Sequence, residues 1–113
     1  MSRMLEAGAA VTNITPWLGV TIPGLFRTRR AQAVDDELMA KALVLDNGEI
    51  RIALVTCDLI AIPDGIAHAV KSRIQERCQI PPEHVMINAT HTHTAAGIAD
   101  LLGTNGDPDY IDW

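Results

Sequence analysis

Two apolar, β-rich runs flank a polar tetrapeptide in the middle of the chain, MAKALVLDNGEIRIALVTCDLI. The break is Asp46-Asn47-Gly48-Glu49. Asn-Gly supplies the positive φ angles of a type I′ turn, so the pattern predicts a β-hairpin. The second run, Ile50 to Cys57, is almost continuously apolar after Arg51. That is the pattern of a central strand covered on both faces. The period then changes. Ile66, Val70 and Ile74 fall at i, i+4 and i+8, and Lys71, Arg73, Gln75, Glu76 and Arg77 lie largely off that stripe. A helix is predicted, with Pro63 near its first turn and Pro81-Pro82 preventing its continuation. HVMINAT reads as a further short strand, and EAGAAVTNIT as a short strand near the start. Between the start and the hairpin, ITPWLGVTIPGLFRTRR carries Pro16, Gly19, Pro23 and Gly24. Such punctuation predicts turns and an irregular surface path.

Strand, helix, strand defines the fold class: α/β, with a β-hairpin plus a βαβ unit forming part of a mixed sheet. A helical connection of this length joins parallel strands in right-handed fashion. The topology has a functional consequence. Asp58 ends the first strand of the unit, and His91 and His93 end the second. If the strands are neighbours, all three share the carboxyl edge of the sheet, where open α/β sheets bind ligands.

The chain closes on GTNGDPDYIDW. Asp107 is a candidate N-cap and Pro108 a candidate first helical residue, with Tyr110, Ile111 and Trp113 starting an apolar pattern. A helix that stops within its first turns is not stable alone. The expectation is that residues 1–113 are the N-terminal fragment of a larger catalytic domain.

Composition narrows the function classes. Hydrophobic residues make up 48% and charged residues 20% of the 113 residues, ordinary for a globular protein. The formal net charge is -5, and the one basic run, Arg27 to Arg30, is expected to be a solvated loop. Nucleic acid is not an expected partner. Cys57 and Cys78 form no CxxC and are expected to be free thiols. No apolar run approaches the roughly 20 residues that span a bilayer, and MSRMLEAGAA has no signal-peptide core. A cytoplasmic location is expected on that basis.

The chemistry concentrates in NATHTHTAAG, Asn88 to Gly97. In a strand, residues i and i+2 share a face, roughly 6.5–7 Å apart. Both imidazoles then reach one metal, or one binds metal while the other meets the substrate. Imidazole suits zinc, and a catalytic zinc takes three protein ligands plus water. Small neighbours leave room for a ligand, and the threonine hydroxyls can orient the rings. The other reading of the same residues is a polar strand end with solvated histidines, and spacing alone does not choose between them. Asp58 either caps the following turn or accepts a hydrogen bond from a histidine. His68, on the helix, and His84, in the turn after Pro81-Pro82, read as surface residues.

AGAAVTNITPWLGVTIPG, LMAKALVLDNGEIRIALVTCDL and IPPEHVMINATHTHTAAG, in this order and spacing, resemble the N-terminal catalytic domain of neutral/alkaline, non-lysosomal ceramidases. The resemblance runs from Ala7 to the end, and ATHTHT is its strongest element. It implies zinc-dependent hydrolysis of the N-acyl amide of a ceramide-like lipid to a sphingoid base and a fatty acid. It also implies His91 as a zinc ligand and His93 as the group that handles a proton at the attacking water. Asp58 joins His93 as a catalytic candidate, holding an imidazole in the right tautomer. The family's remaining zinc ligands, a histidine, a glutamate and a tyrosine, belong to later parts of its domain. So activity is expected only of the complete domain, and the resemblance keeps secretion open as a location. Where the family often has a His-Asp pair and a tyrosine before the ALVL strand, this chain has VDDELMAKALVL, with Asp35 and Met39 at those places. Rival readings are another zinc hydrolase or a non-catalytic fragment. A metallo-β-lactamase needs HxHxDH, and Thr94-Ala95-Ala96 stands there instead.

Overall fold

The computed structural model describes residues 4–113. In chain order its elements are β1 (Glu6–Asn13), β2 (Thr21–Ile22), β3 (Arg29–Arg30), β4 (Met39–Asp46), β5 (Arg51–Cys57), α1 (Asp64–Cys78), β6 (Val85–Ala89) and α2 (Pro108–Asp112). A single 3-10 turn, Pro82–His84, leads into β6. The main sheet is mixed, with strand order β1-β4-β5-β6, and β2 and β3 pair as a separate two-stranded ladder. β4 and β5 are antiparallel from Ala40↔Cys57 to Asp46↔Arg51. β5 and β6 are parallel from Ala53↔Val85 to Cys57↔Ala89. The α/β fold with a hairpin and a βαβ unit is therefore as the patterning predicts.

The hairpin turn differs from the expected type. Asp46 pairs with Arg51, so four residues, Asn47 to Ile50, form the loop. Gly48 takes a positive φ of 89°, whereas Asn47 is not among the positive-φ residues. The Asn47 side chain explains this: its Oδ1 accepts from the backbone N–H of Glu49 at 3.0 Å and of Ile50 at 2.8 Å. A side-chain-closed turn replaces the type I′ geometry. Arg51 and Asp46, paired at 2.8 Å, hold the loop base.

On α1 two residues of the predicted stripe reach two small cores, while Val70 between them is 37% exposed. Ile66 packs against the cluster formed by Val20, Leu59, Ala96, Ile98 and Tyr110, and Ile74 against the one formed by Ala53, Ile80 and Val85. The helix ends at Gln79, whose left-handed backbone (φ 55°) returns its N–H to the Gln75 carbonyl before the prolines are reached. At the other end of the chain, Asp107 caps α2 by accepting from Asp109 N and Tyr110 N at 3.1 and 3.2 Å. Tyr110 is buried, donates its O–H to the Ile14 carbonyl, and meets the Trp17 ring edge-on at 6.2 Å.

β5 is central, but α1 covers one sheet face and the expected cover on the other is absent among the described residues. Ala9, Leu43, Leu54 and Met86 lie side by side across all four strands. Leu43 is 39%, Leu54 37% and Met86 60% exposed, and Val11 beside them 61%. The molecule is elongated, 58 × 27 × 21 Å, with a radius of gyration of 16.1 Å. A compact domain of this length has about 13 Å. Among the described residues no helix is long and apolar enough to cross a membrane.

Burial, helped by the charge of Cys57, pushes the Tyr110 phenol from 10.0 up to about 12. The folded chain prefers the neutral phenol. This contribution to stability is complete below pH 10 and drains away as pH rises towards 12. Tyr110→Phe should lose the Ile14 hydrogen bond, about 1 kcal/mol, and also the alkaline dependence. Denaturant melts below pH 10 and near pH 12 check this: the wild type should lose more stability between the two than the phenylalanine variant.

Candidate active site

The parallel pair β5–β6 carries two chain segments to the same edge and keeps them together beyond the sheet. Thr90 N–H donates to the Cys57 carbonyl at 2.9 Å, and His91 N–H to the Leu59 carbonyl at 3.0 Å. At His91 the backbone turns left-handed, φ 65°. A residue with a Cβ pays about 1–2 kcal/mol for that conformation, and strain of this kind concentrates at functional sites. Ala95, Ala96, Gly97 and Ile98 behind the histidines are buried, and Gly97 N–H bonds the Thr21 carbonyl at 3.0 Å.

This corrects the expected origin of the pair. β6 stops at Ala89, so His91 and His93 sit in the loop after it. The left-handed turn, not strand alternation, brings them together. Their ring centroids are 4.8 Å apart at an interplanar angle of 84°.

The hydrogen-bond partners decide the tautomers. His91 Nδ1 lies 2.7 Å from the Ile60 carbonyl, and His93 Nδ1 3.0 Å from the Gly24 carbonyl. A carbonyl oxygen only accepts, so each Nδ1 carries the proton and donates. In the neutral rings each Nε2 is then a bare lone pair. The two Nε2 atoms are 3.3 Å apart. Two lone pairs at that distance repel unless a cation, a proton or a metal ion, lies between them. A bare imidazole Nε2 is a ligand that zinc takes at roughly 2.0–2.1 Å, and a second one beside it can face the ion's water. The donor chemistry and spacing of the pair fit such an ion. Among the described residues, no cluster of three or more His, Cys, Asp or Glu side chains forms, so the pair supplies at most two ligands.

Asp58 is at the same edge, as the topology predicts, but bonds neither imidazole. Its Oδ2 accepts from Met39 N–H at 2.9 Å and its Oδ1 from the Thr90 hydroxyl at 3.2 Å. The tautomer-setting work expected of it falls to the Ile60 and Gly24 carbonyls. Asp58, Thr92 and Thr94 line a cleft of about 490 Å³ whose apolar wall includes Leu18, Val20, Ile22 and Val34. Asp35, Asp36 and Glu37 also line it. Within the cleft wall, the Thr92 and Thr94 hydroxyls bond each other at 3.0 Å. His68 is exposed on α1, and His84 precedes β6 at the end away from the histidine pair.

Two contributors escaped the sequence reading. Arg29, expected in a solvated loop, is half-buried, and its Nη2 donates to the Pro23 carbonyl at 2.9 Å and the His93 carbonyl at 2.7 Å. Gly24 has φ 109°, and a Cβ there would stand 2.5 Å from His93 Nδ1. Both act on His93 from more than 60 residues away, and no local spacing encodes such a contact. The only local cue was Pro23-Gly24, read as a turn.

No protein-family profile matches the chain, and no curated protein matches it. Solved structures do. The neutral ceramidase of Pseudomonas aeruginosa superposes with a TM-score of 0.75 at 24% identity, over 84% of this chain and 16% of that one. A ceramidase complexed with C2 gives 0.72 at 22%, with the same coverage. The fold is thus shared with a segment of these ceramidases, and the chain spans 16% of their length.

The strained turn gives a direct test. Glycine tolerates the left-handed region and alanine does not, so His91→Gly should be more stable than His91→Ala by about 1 kcal/mol. Urea melts of the two variants compare them, and coincident midpoints would remove the strain from the account.

Proposed function

We propose that the chain is the part of a zinc-dependent amide hydrolase of the neutral ceramidase type that carries the HTH loop. The substrate class is an N-acyl sphingoid lipid, cleaved to a sphingoid base and a fatty acid. One observation carries the reading: two imidazoles with their protons held at Nδ1 present bare Nε2 atoms 3.3 Å apart at the carboxyl edge of the sheet. The ATHTHT resemblance and the shared fold support it. Further ligands come from the portion of those longer domains that this chain does not span, so activity belongs to the complete domain.

His91 Nε2 is the ligand this chain contributes. Zinc held there would supply polarisation of the amide carbonyl and a lowered pKa for its water. His93 Nε2, 3.3 Å from His91 Nε2, would face a water held at that point. It would take the proton as the water oxygen bonds to the acyl carbon, and would return it to the amide nitrogen as the C–N bond breaks. The Gly24 carbonyl holds the Nδ1–H throughout, so His93 has one nitrogen free for the proton. The apolar wall of the adjoining cleft receives a hydrocarbon chain, and Asp58, tied to Thr90 and Met39, keeps the loop base in place.

In the full-length protein, His91→Ala should lose zinc. His93→Ala should keep zinc while turnover falls by roughly 10²–10⁴-fold. Atomic absorption and fatty-acid release from an N-acyl sphingoid in mixed micelles read the two effects. Full zinc occupancy in His91→Ala would sink the ligand assignment.

A further inference from the structure

We propose that Arg29 is a positioning residue that fixes the orientation and tautomer of His93, a role that rests on reading His93 as the proton carrier. Arg29 enters from β3, opposite Ile22 of β2. One of its nitrogens, Nη2, has two N–H groups and places one on the Pro23 carbonyl and the other on the His93 carbonyl. The residue after Pro23, Gly24, provides the carbonyl that receives His93 Nδ1–H at 3.0 Å. The guanidinium therefore ties down both sides of that bond: the peptide adjoining the acceptor and the backbone of the donor residue. Its Nε is buried and has no partner among the described residues, so the side chain is turned inward, unlike a solvated surface cation.

The geometry leaves little slack. His93 lies so close to Gly24 that a Cβ would collide with Nδ1. The ring is held against a bare α-carbon, and its acceptor stays in register only while the two backbones keep their spacing. A planar fork bridges two carbonyls in a fixed direction, whereas a lysine ammonium on a flexible stem does not. Without the fork, His93 Nδ1 loses its fixed acceptor and the Nε2–H tautomer becomes populated. That tautomer has no lone pair at Nε2 and cannot take a proton.

Long-range ¹H–¹⁵N spectra of the histidine-labelled, metal-free full-length protein, in mildly alkaline buffer, read the tautomers directly. In the wild type both His91 and His93 should be Nδ1–H. In Arg29→Met, His93 should become a mixture while His91, held by the Ile60 carbonyl, stays as it was. Arg29→Lys should give an intermediate mixture. With zinc restored, both variants should keep the metal, and kcat should fall roughly tenfold to a hundredfold with KM little changed. A His93 that remains wholly Nδ1–H in Arg29→Met overturns the proposal, whatever the activity; if that variant does not fold, Arg29→Lys is read in the same way. Mixed tautomers in a protein that binds no zinc and cleaves no amide would instead overturn the hydrolase reading and leave the role of Arg29 standing.

Discussion

The parallel pairing of β5 with β6 is the constraint from which the rest follows. α1 carries the chain back so that Cys57 and Ala89 end the ladder opposite each other. The groups that hold His91 and Asp58 lie close to that end. Leu59 and Ile60, just beyond β5, provide the carbonyls that take the backbone N–H of His91 and its Nδ1–H. Asp58, at the same point, ties β4 to the loop through Met39 and Thr90. A slip of one residue in this register would turn the β6 side chains to the opposite face of the sheet.

The irregular segment before β4 completes what the sheet begins. Gly24 and Arg29 reach across to His93, which no residue of the main sheet orients. The two histidines are thus held by different parts of the chain, His91 by the segment after β5 and His93 by the turn after β2. Both holders are acceptor-only carbonyls, and that shared chemistry is what leaves both Nε2 atoms bare. Their convergence costs electrostatic energy unless a cation, a proton or a metal ion, lies between them. The exposed apolar row Ala9–Leu43–Leu54–Met86 and the extended shape belong to the same picture, a layer suited to packing against further structure.

Much of the fold was legible because it is encoded locally. The apolar runs of β4 and β5, the 3.6-residue stripe of α1 and the Asp107-Pro108 start of α2 each depend on neighbours in sequence. The hairpin turn was misread because Asn47 uses its side chain to close the loop, which a preference for positive φ does not reveal. The site was legible in part. Asp58 and the histidines were placed at one edge by topology, but the reason the rings meet, a left-handed His91, has no signature at a histidine. Arg29 looked like one member of a basic run because its role exists only once residues far apart in sequence are brought together. Its burial, and the tautomers it helps to set, are properties of the tertiary fold.

The central claim is that His91 and His93 present a shared, cation-binding point at the carboxyl edge of the sheet, with His91 as the metal ligand. Anomalous diffraction at the zinc absorption edge from crystals of the full-length protein tests it most directly. The account predicts a single strong peak roughly 2.0–2.1 Å from His91 Nε2, with His93 Nε2 facing the same point and both Nδ1 atoms still on their carbonyls. A zinc-replete crystal with no peak beside His91, or with the His91 ring turned so that Nε2 faces away from His93, would contradict it.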